Sequence, residues 1–175
     1  MNQAMNTVHK LSAHKLSLAV QYACDAQVMP TRAQLRRWVK SALQRDVRMT
    51  LRIVDEAEGR ELNKNYRGKD YATNVLTFVY DDEPTPPGLP LSGEEILSGD
   101  VVICAPVVEQ EAAAQHKELL AHYAHLAIHA ALHLQGYDHL NDIDAAEMEA
   151  LETALMLKLH YPDPYQTTQI ANGRP

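Results

Sequence analysis

The chain has 175 residues, 46% apolar and 22% charged, with two cysteines and a formal net charge of −7. That length suits one domain with a sizeable core, and the composition excludes wholesale disorder. With Cys24 and Cys104 eighty positions apart, no signal-peptide core in residues 1–20 and no apolar run near the ~20 residues of a membrane span, a disulfide framework, a Cys-rich zinc finger and a spanning helix are excluded. A cytoplasmic location is expected. The acidic total argues against a nucleic-acid partner, but the distribution does not. Residues 1–69 hold 13 Lys+Arg against 6 Asp+Glu, a balance of +7, and residues 70–175 hold 3 against 17, a balance of −14. Such a split permits a basic face on an acidic protein, although chance assortment of charged helices would give it too.

In chain order, residues 1–14 show no firm period and read as a loose extension. Leu16–Tyr22 alternates as a strand does. Thr31 after Pro30 marks a helix start, and Leu35, Trp38, Val39 and Leu43 give that helix a buried face. Met49–Val54 is a strand and Asp55 to about Tyr66 a short helix. Thr73–Tyr80 is β-rich, Asp81–Gly93 is a proline-broken loop, and Asp100–Cys104 is another short strand. Helices follow over Pro106–Gln115, Glu118–Gln135 and Ile143–Leu159, the last with Met148, Leu151, Leu155 and Leu159 inward. The prolines after Tyr161 predict a loosely held tail. Together these elements predict one α+β domain over residues 15–165, with a small mixed sheet of about four strands packed with about five helices and a loose tail over 166–175.

The chemistry concentrates in HAALHLQGYDH. His129 and His133 are spaced i, i+4, so on a helix both imidazoles project from one face and can reach one ion. Gly136 is the residue type that ends a helix in the left-handed conformation, and a reversal there swings His139 back toward the pair. Three neutral imidazoles suit zinc and leave its fourth position open. A lone i, i+4 pair is more often an accident of a helix; the added Gly and third His make accident a poor account. His122 and His125, further up the same stripe, read as packing or ligand-orienting residues. The pattern is similar to the HExxHxxGxxH signature of metzincin peptidases, but Ala130 replaces the Glu that serves there as general base.

LNKNYRGKDYATNVLTF (Leu62–Phe78), SGDVVIC (Ser98–Cys104) and HAALHLQGYDH together resemble the signature blocks of the YbeY family, in family order and spacing. DAAEMEALETALML and the closing YPDPY also resemble that family, so the likeness covers roughly residues 15–165. Ala130 departs from the family's usual HGxLH. The resemblance implies a zincin-like metal helix and a zinc-dependent endoribonuclease acting on single-stranded RNA. It implies work in rRNA maturation at the 16S rRNA 3′ end of the small ribosomal subunit and in ribosome quality control, with ribosome-associated proteins as partners and no membrane. One Zn²⁺ would be held by His129, His133 and His139, and zinc-activated water would attack a phosphodiester held by the catalytic Arg67. Lys64 and Lys69 are candidate substrate-binding residues. Asp138 either orients a ligand's N–H or caps the turn. Two other readings stay open: a peptidase-like hydrolase taking its carboxylate from Glu111 or Asp100, and a non-catalytic ribosome-assembly module with structural zinc.

Overall fold

The computed structural model describes residues 14–80 and 96–166; residues 1–13, 81–95 and 167–175, and with them the loop expected over Asp81–Gly93, lie outside the described residues. Four strands, β1 (Leu16–Ala23), β2 (Val47–Val54), β3 (Val75–Tyr80) and β4 (Leu97–Cys104), form one sheet in the order β1-β2-β4-β3. β1 and β4 both run parallel to β2, and β3 pairs antiparallel with β4. The period-2 pattern of β2 decides which face is buried. Val47, Met49, Leu51 and Ile53 enter the main core, and the intervening Arg48, Thr50 and Arg52 do not.

Five helices complete the described fold: α1 (Arg32–Ser41), α2 (Glu56–Arg67), α3 (Ala105–Ala114), α4 (Leu119–Leu134) and α5 (Asp142–Lys158). α1 starts as expected. The Thr31 hydroxyl accepts from the Gln34 backbone N–H at 3.1 Å, and the Gln34 side chain accepts from the Thr31 N–H at 2.9 Å. Leu35, Trp38, Val39 and Leu43 are buried, as the helical spacing predicts. A smaller apolar cluster of Val54, Leu76, Val102 and Cys104 packs with Leu62 of α2.

α4 is the inner helix, in contact with α1, α3, α5, β3 and β4. That placement explains its sequence, which is apolar on nearly every side because nearly every side meets protein. Its C-terminal end lies directly on β4: a Cβ at Gly99 would stand 2.3 Å from Leu134 Cδ1 and 2.5 Å from the Phe78 carbonyl oxygen, so only glycine admits this approach. Two expectations need correction. The inward face of α5 is led by Met148, Glu152 and Met156, with Leu151, Leu155 and Leu159 only partly buried. The segment after Tyr161 is anchored at its start, since Pro164 is buried and its carbonyl accepts from Lys117 Nζ at 2.7 Å. Among the described residues no helix is long and apolar enough to cross a membrane.

Candidate active site

His122, His125, His129 and His133 form a polar stripe along apolar α4, and the turn after the helix adds His139. Gly136 makes that turn at φ 102°, a conformation that side chains rarely adopt, and the Tyr137 N–H donates back to the Leu132 carbonyl at 3.1 Å. The reversal sets the His139 ring centroid 5.7 Å from that of His129 and 6.4 Å from that of His133; those two stack with centroids 6.4 Å apart. Three imidazoles on one tetrahedral ion have centroids roughly 5 Å apart. The rings thus stand somewhat wider than a bound set, and among the described residues no three His, Cys, Asp or Glu side chains close around a single point.

The hydrogen bonds nevertheless prepare two of these rings as donors to a metal. Glu152 Oε1 lies 2.5 Å from His129 Nδ1, and the Tyr137 carbonyl 3.0 Å from His133 Nδ1. A carboxylate and a carbonyl only accept, so both Nδ1 atoms carry a proton, and in the neutral ring the lone pair then lies on Nε2. This is the tautomer a metal-ligating histidine needs. By donor chemistry the three imidazoles fit a divalent ion, and His139, whose side chain is 60% exposed, is the ring with room to close on it.

Glu152 is the residue that the sequence reading missed. It is fully buried, and its second oxygen accepts from His125 Nε2 at 3.0 Å and from the Tyr165 hydroxyl. Burial pushes its carboxyl up, but the His125, His129 and Tyr165 donors outweigh burial and hold it at about 2. The signal was present: a glutamate four residues from Met148 and from Met156 on an inward stripe needs buried partners. His122, also buried, meets Glu111 Oε1 at 3.2 Å, and Glu111 is held from the other side by Asn74 Nδ2 at 3.0 Å. Burial lowers the His122 pKa against the opposing pull of Glu111.

A cleft of ≈ 610 Å³ brings His129, His133 and His139 together with Arg67. Arg67 ends α2, which Gly68 closes at φ 69°, and it makes no hydrogen bond or ion pair among the described residues. Exposed Lys64 and Lys69 lie near the same helix end but do not line the cleft. Asp138 does line it, yet its Oδ1 accepts from the His139 backbone N–H at 2.7 Å and stays 4.0 Å from that ring's Nδ1. It acts on the turn; the ring-orienting contacts come from Glu152 and the Tyr137 carbonyl. Among the described lining residues Asp138 is the one carboxylate. Glu111 is bound to His122 and Asn74, and Asp100 accepts from the Tyr80 hydroxyl, so neither stands in for the missing glutamate of a peptidase. Ala130 is fully buried in the core face of α4, where its methyl is accommodated.

Fold and cleft define the class: one α+β domain with an imidazole-lined cleft on its central helix, edged by the guanidinium of Arg67. The chain belongs to the endoribonuclease YbeY family, whose model matches residues 21–160. Curated relatives named endoribonuclease YbeY include one from Nitrosospira multiformis, 55% identical over 91% of this chain and 86% of that protein. Another, from Nitrosomonas europaea, is 53% identical over 86% of this chain and 85% of its own length, and one from Chromobacterium violaceum is 52% identical over 90% and 92%. A solution structure from Thermotoga maritima aligns with 84% of this chain and 99% of its own at 22% identity and a TM-score of 0.47, too loose a superposition to inform the site.

Proposed function

We propose that this protein is a metal-dependent endoribonuclease that cleaves single-stranded RNA in the maturation of small-subunit ribosomal RNA. The observation that carries the reading is one cleft in a YbeY-family chain holding three imidazoles, two of them with Nδ1 engaged, and the guanidinium of Arg67, which makes no hydrogen bond or ion pair among the described residues. His129, His133 and His139 would hold the ion, with zinc preferred by an all-imidazole donor set. A divalent metal supplies Lewis acidity and a water activated near neutral pH.

The chain's own residues do the rest. Arg67 grips the non-bridging phosphate oxygens with two parallel N–H donors and offsets charge that grows as the phosphodiester is attacked. Glu152 and the Tyr137 carbonyl hold the rings in register. Lys64 and Lys69 serve flanking phosphates. The work is assigned to the cytoplasm and to ribosomal particles.

Single-turnover cleavage of a labelled single-stranded RNA, run beside elemental analysis, tests this. Wild-type protein is expected to carry one divalent ion and cut the strand; His133→Ala should lose both. Cleavage by a metal-free His129→Ala, His133→Ala double variant would overturn the metal assignment. Normal 3′ ends on small-subunit rRNA in cells lacking the protein would overturn the maturation role.

A further inference from the structure

One wall of the cleft carries an arrangement that phosphate binding does not use. Tyr66, the penultimate residue of α2, is 67% exposed, and its ring centroid stands 5.0 Å from that of Phe78 at an interplanar angle of 64°. Both rings line the cleft together with Arg67 and the three histidines. Tyr66 makes no hydrogen bond among the described residues, so its ring is held by the edge-on contact with Phe78 and by the helix end that carries it. That end is firm. The Gly68 and Lys69 N–H groups donate back to the Lys64 and Asn63 carbonyls, and Asn63 Nδ2 donates to the Tyr71 carbonyl at 2.6 Å. Tyr71 and Tyr80 are exposed as well, but neither lines the cleft, and the Tyr80 hydroxyl is bound to Asp100.

A braced, water-facing aromatic gains little for the fold. Beside a guanidinium it gains a use, because proteins hold unpaired strands by pairing a cation for the backbone with a ring for the base. We propose that Tyr66, braced by Phe78, is the stacking platform for one unpaired nucleobase of the RNA, next to the phosphate gripped by Arg67. The inference rests on the ribonuclease reading above and adds its substrate contact. Any of the four bases can stack, since each has a π-face, so the platform selects for single-strandedness rather than for sequence. A paired base keeps its faces inside the helix and cannot reach it.

The test compares wild type with Tyr66→Ala, Tyr66→Leu and Tyr66→Phe. Equilibrium binding of a labelled single-stranded oligoribonucleotide is measured, alongside the single-turnover rate at saturating protein, metal content and melting temperature. Tyr66→Ala and Tyr66→Leu should bind roughly 5- to 100-fold more weakly, the range expected for losing one stacked base, with Tyr66→Phe close to wild type. A set of strands, each with one abasic residue at a different position, should contain one to which wild type binds no better than Tyr66→Leu. Equal binding by wild type and Tyr66→Leu, or loss of affinity by Tyr66→Phe to match Leu, would sink the platform while leaving cleavage intact. Wild-type protein that neither binds nor cuts RNA would remove the ribonuclease reading and the platform with it. If Tyr66→Ala melts early, the Leu and Phe variants and the abasic series still decide.

Discussion

Glu152 shows how much one buried side chain organises. A carboxylate without solvent contact is costly unless its oxygens are engaged, and here three donors engage both. Glu152→Gln removes the charge that holds the His129 proton on Nδ1. Metal affinity should fall about 10- to 100-fold and stability by about 1–3 kcal/mol, read by chelator competition and denaturant unfolding. The same group sets an acid limit. Its carboxyl sits at about 2 in the fold against 4.5 in a free chain, so its stabilisation is complete above pH 4.5 and is lost as pH falls toward 2. The stability gap between wild type and Glu152→Gln should therefore narrow between pH 5 and about pH 2–3; a constant gap refutes the ionised role. Arg67 differs in kind, being exposed and without a hydrogen bond or ion pair among the described residues. Arg67→Ala should keep fold and metal, change stability by at most ~0.5 kcal/mol, and slow single-turnover cleavage on the order of 10²–10³-fold. Arg67→Lys should recover only part of the rate, since an ammonium lacks the bidentate fork.

At the scale of elements, the site depends on how closely α4 lies on β4. Gly99→Ala forces a methyl group against Leu134 and the Phe78 carbonyl, and backbone cannot swing aside as a side chain can. The variant should lose about 1–3 kcal/mol in denaturant unfolding, the usual cost of overpacking; a neutral outcome would mean that α4 and β4 are looser than described. The elements themselves were largely legible, because local rules govern them. Alternation gave β1, Thr31 announced α1, and the i, i+4 pair with Gly136 anticipated the reversal that returns His139. What stayed hidden were contacts between residues distant in sequence. Nothing near Glu152 announces that it meets His129 on another helix, and nothing in the Pro-rich segment after Tyr161 announces that Tyr165 reaches the same carboxylate. Asp138 stayed open between a ligand's N–H and the turn for the complementary reason: adjacency to His139 allows either, and its carboxylate takes the nearer backbone N–H.

Over the whole described molecule, four arginines of the basic first 69 residues are engaged within the fold. Arg36 donates to the Leu16 carbonyl, Arg52 pairs with Glu58 and Gln21, Arg60 pairs with Asp70, and Arg32 lies 4.9 Å over the Tyr22 ring. These four side chains thus tie strands, helices and loops together. Arg67 is the one Lys or Arg among the described residues lining the cleft, with Lys64 and Lys69 nearby. RNA affinity should accordingly have a modest salt dependence. Each neutralised phosphate contributes a slope of about −0.7 in log K against log salt, so two or three contacts give roughly −1.4 to −2. A Lys64→Ala, Lys69→Ala double variant should flatten that slope and leave the saturated single-turnover rate unchanged. An unaltered slope would remove both lysines from the RNA contact.

The tie from Tyr165 through Glu152 to His129 has a consequence for the order in which the protein becomes competent during synthesis. Arg67 and all three histidines are made before Asn141, yet the residues that set the His129 proton arrive 23 and 36 positions after it. A nascent or truncated chain ending between Leu140 and Glu152 carries every candidate ligand but not the partner that prepares His129. The contact that holds the His129 proton on Nδ1 therefore forms only once the chain has been extended past Glu152.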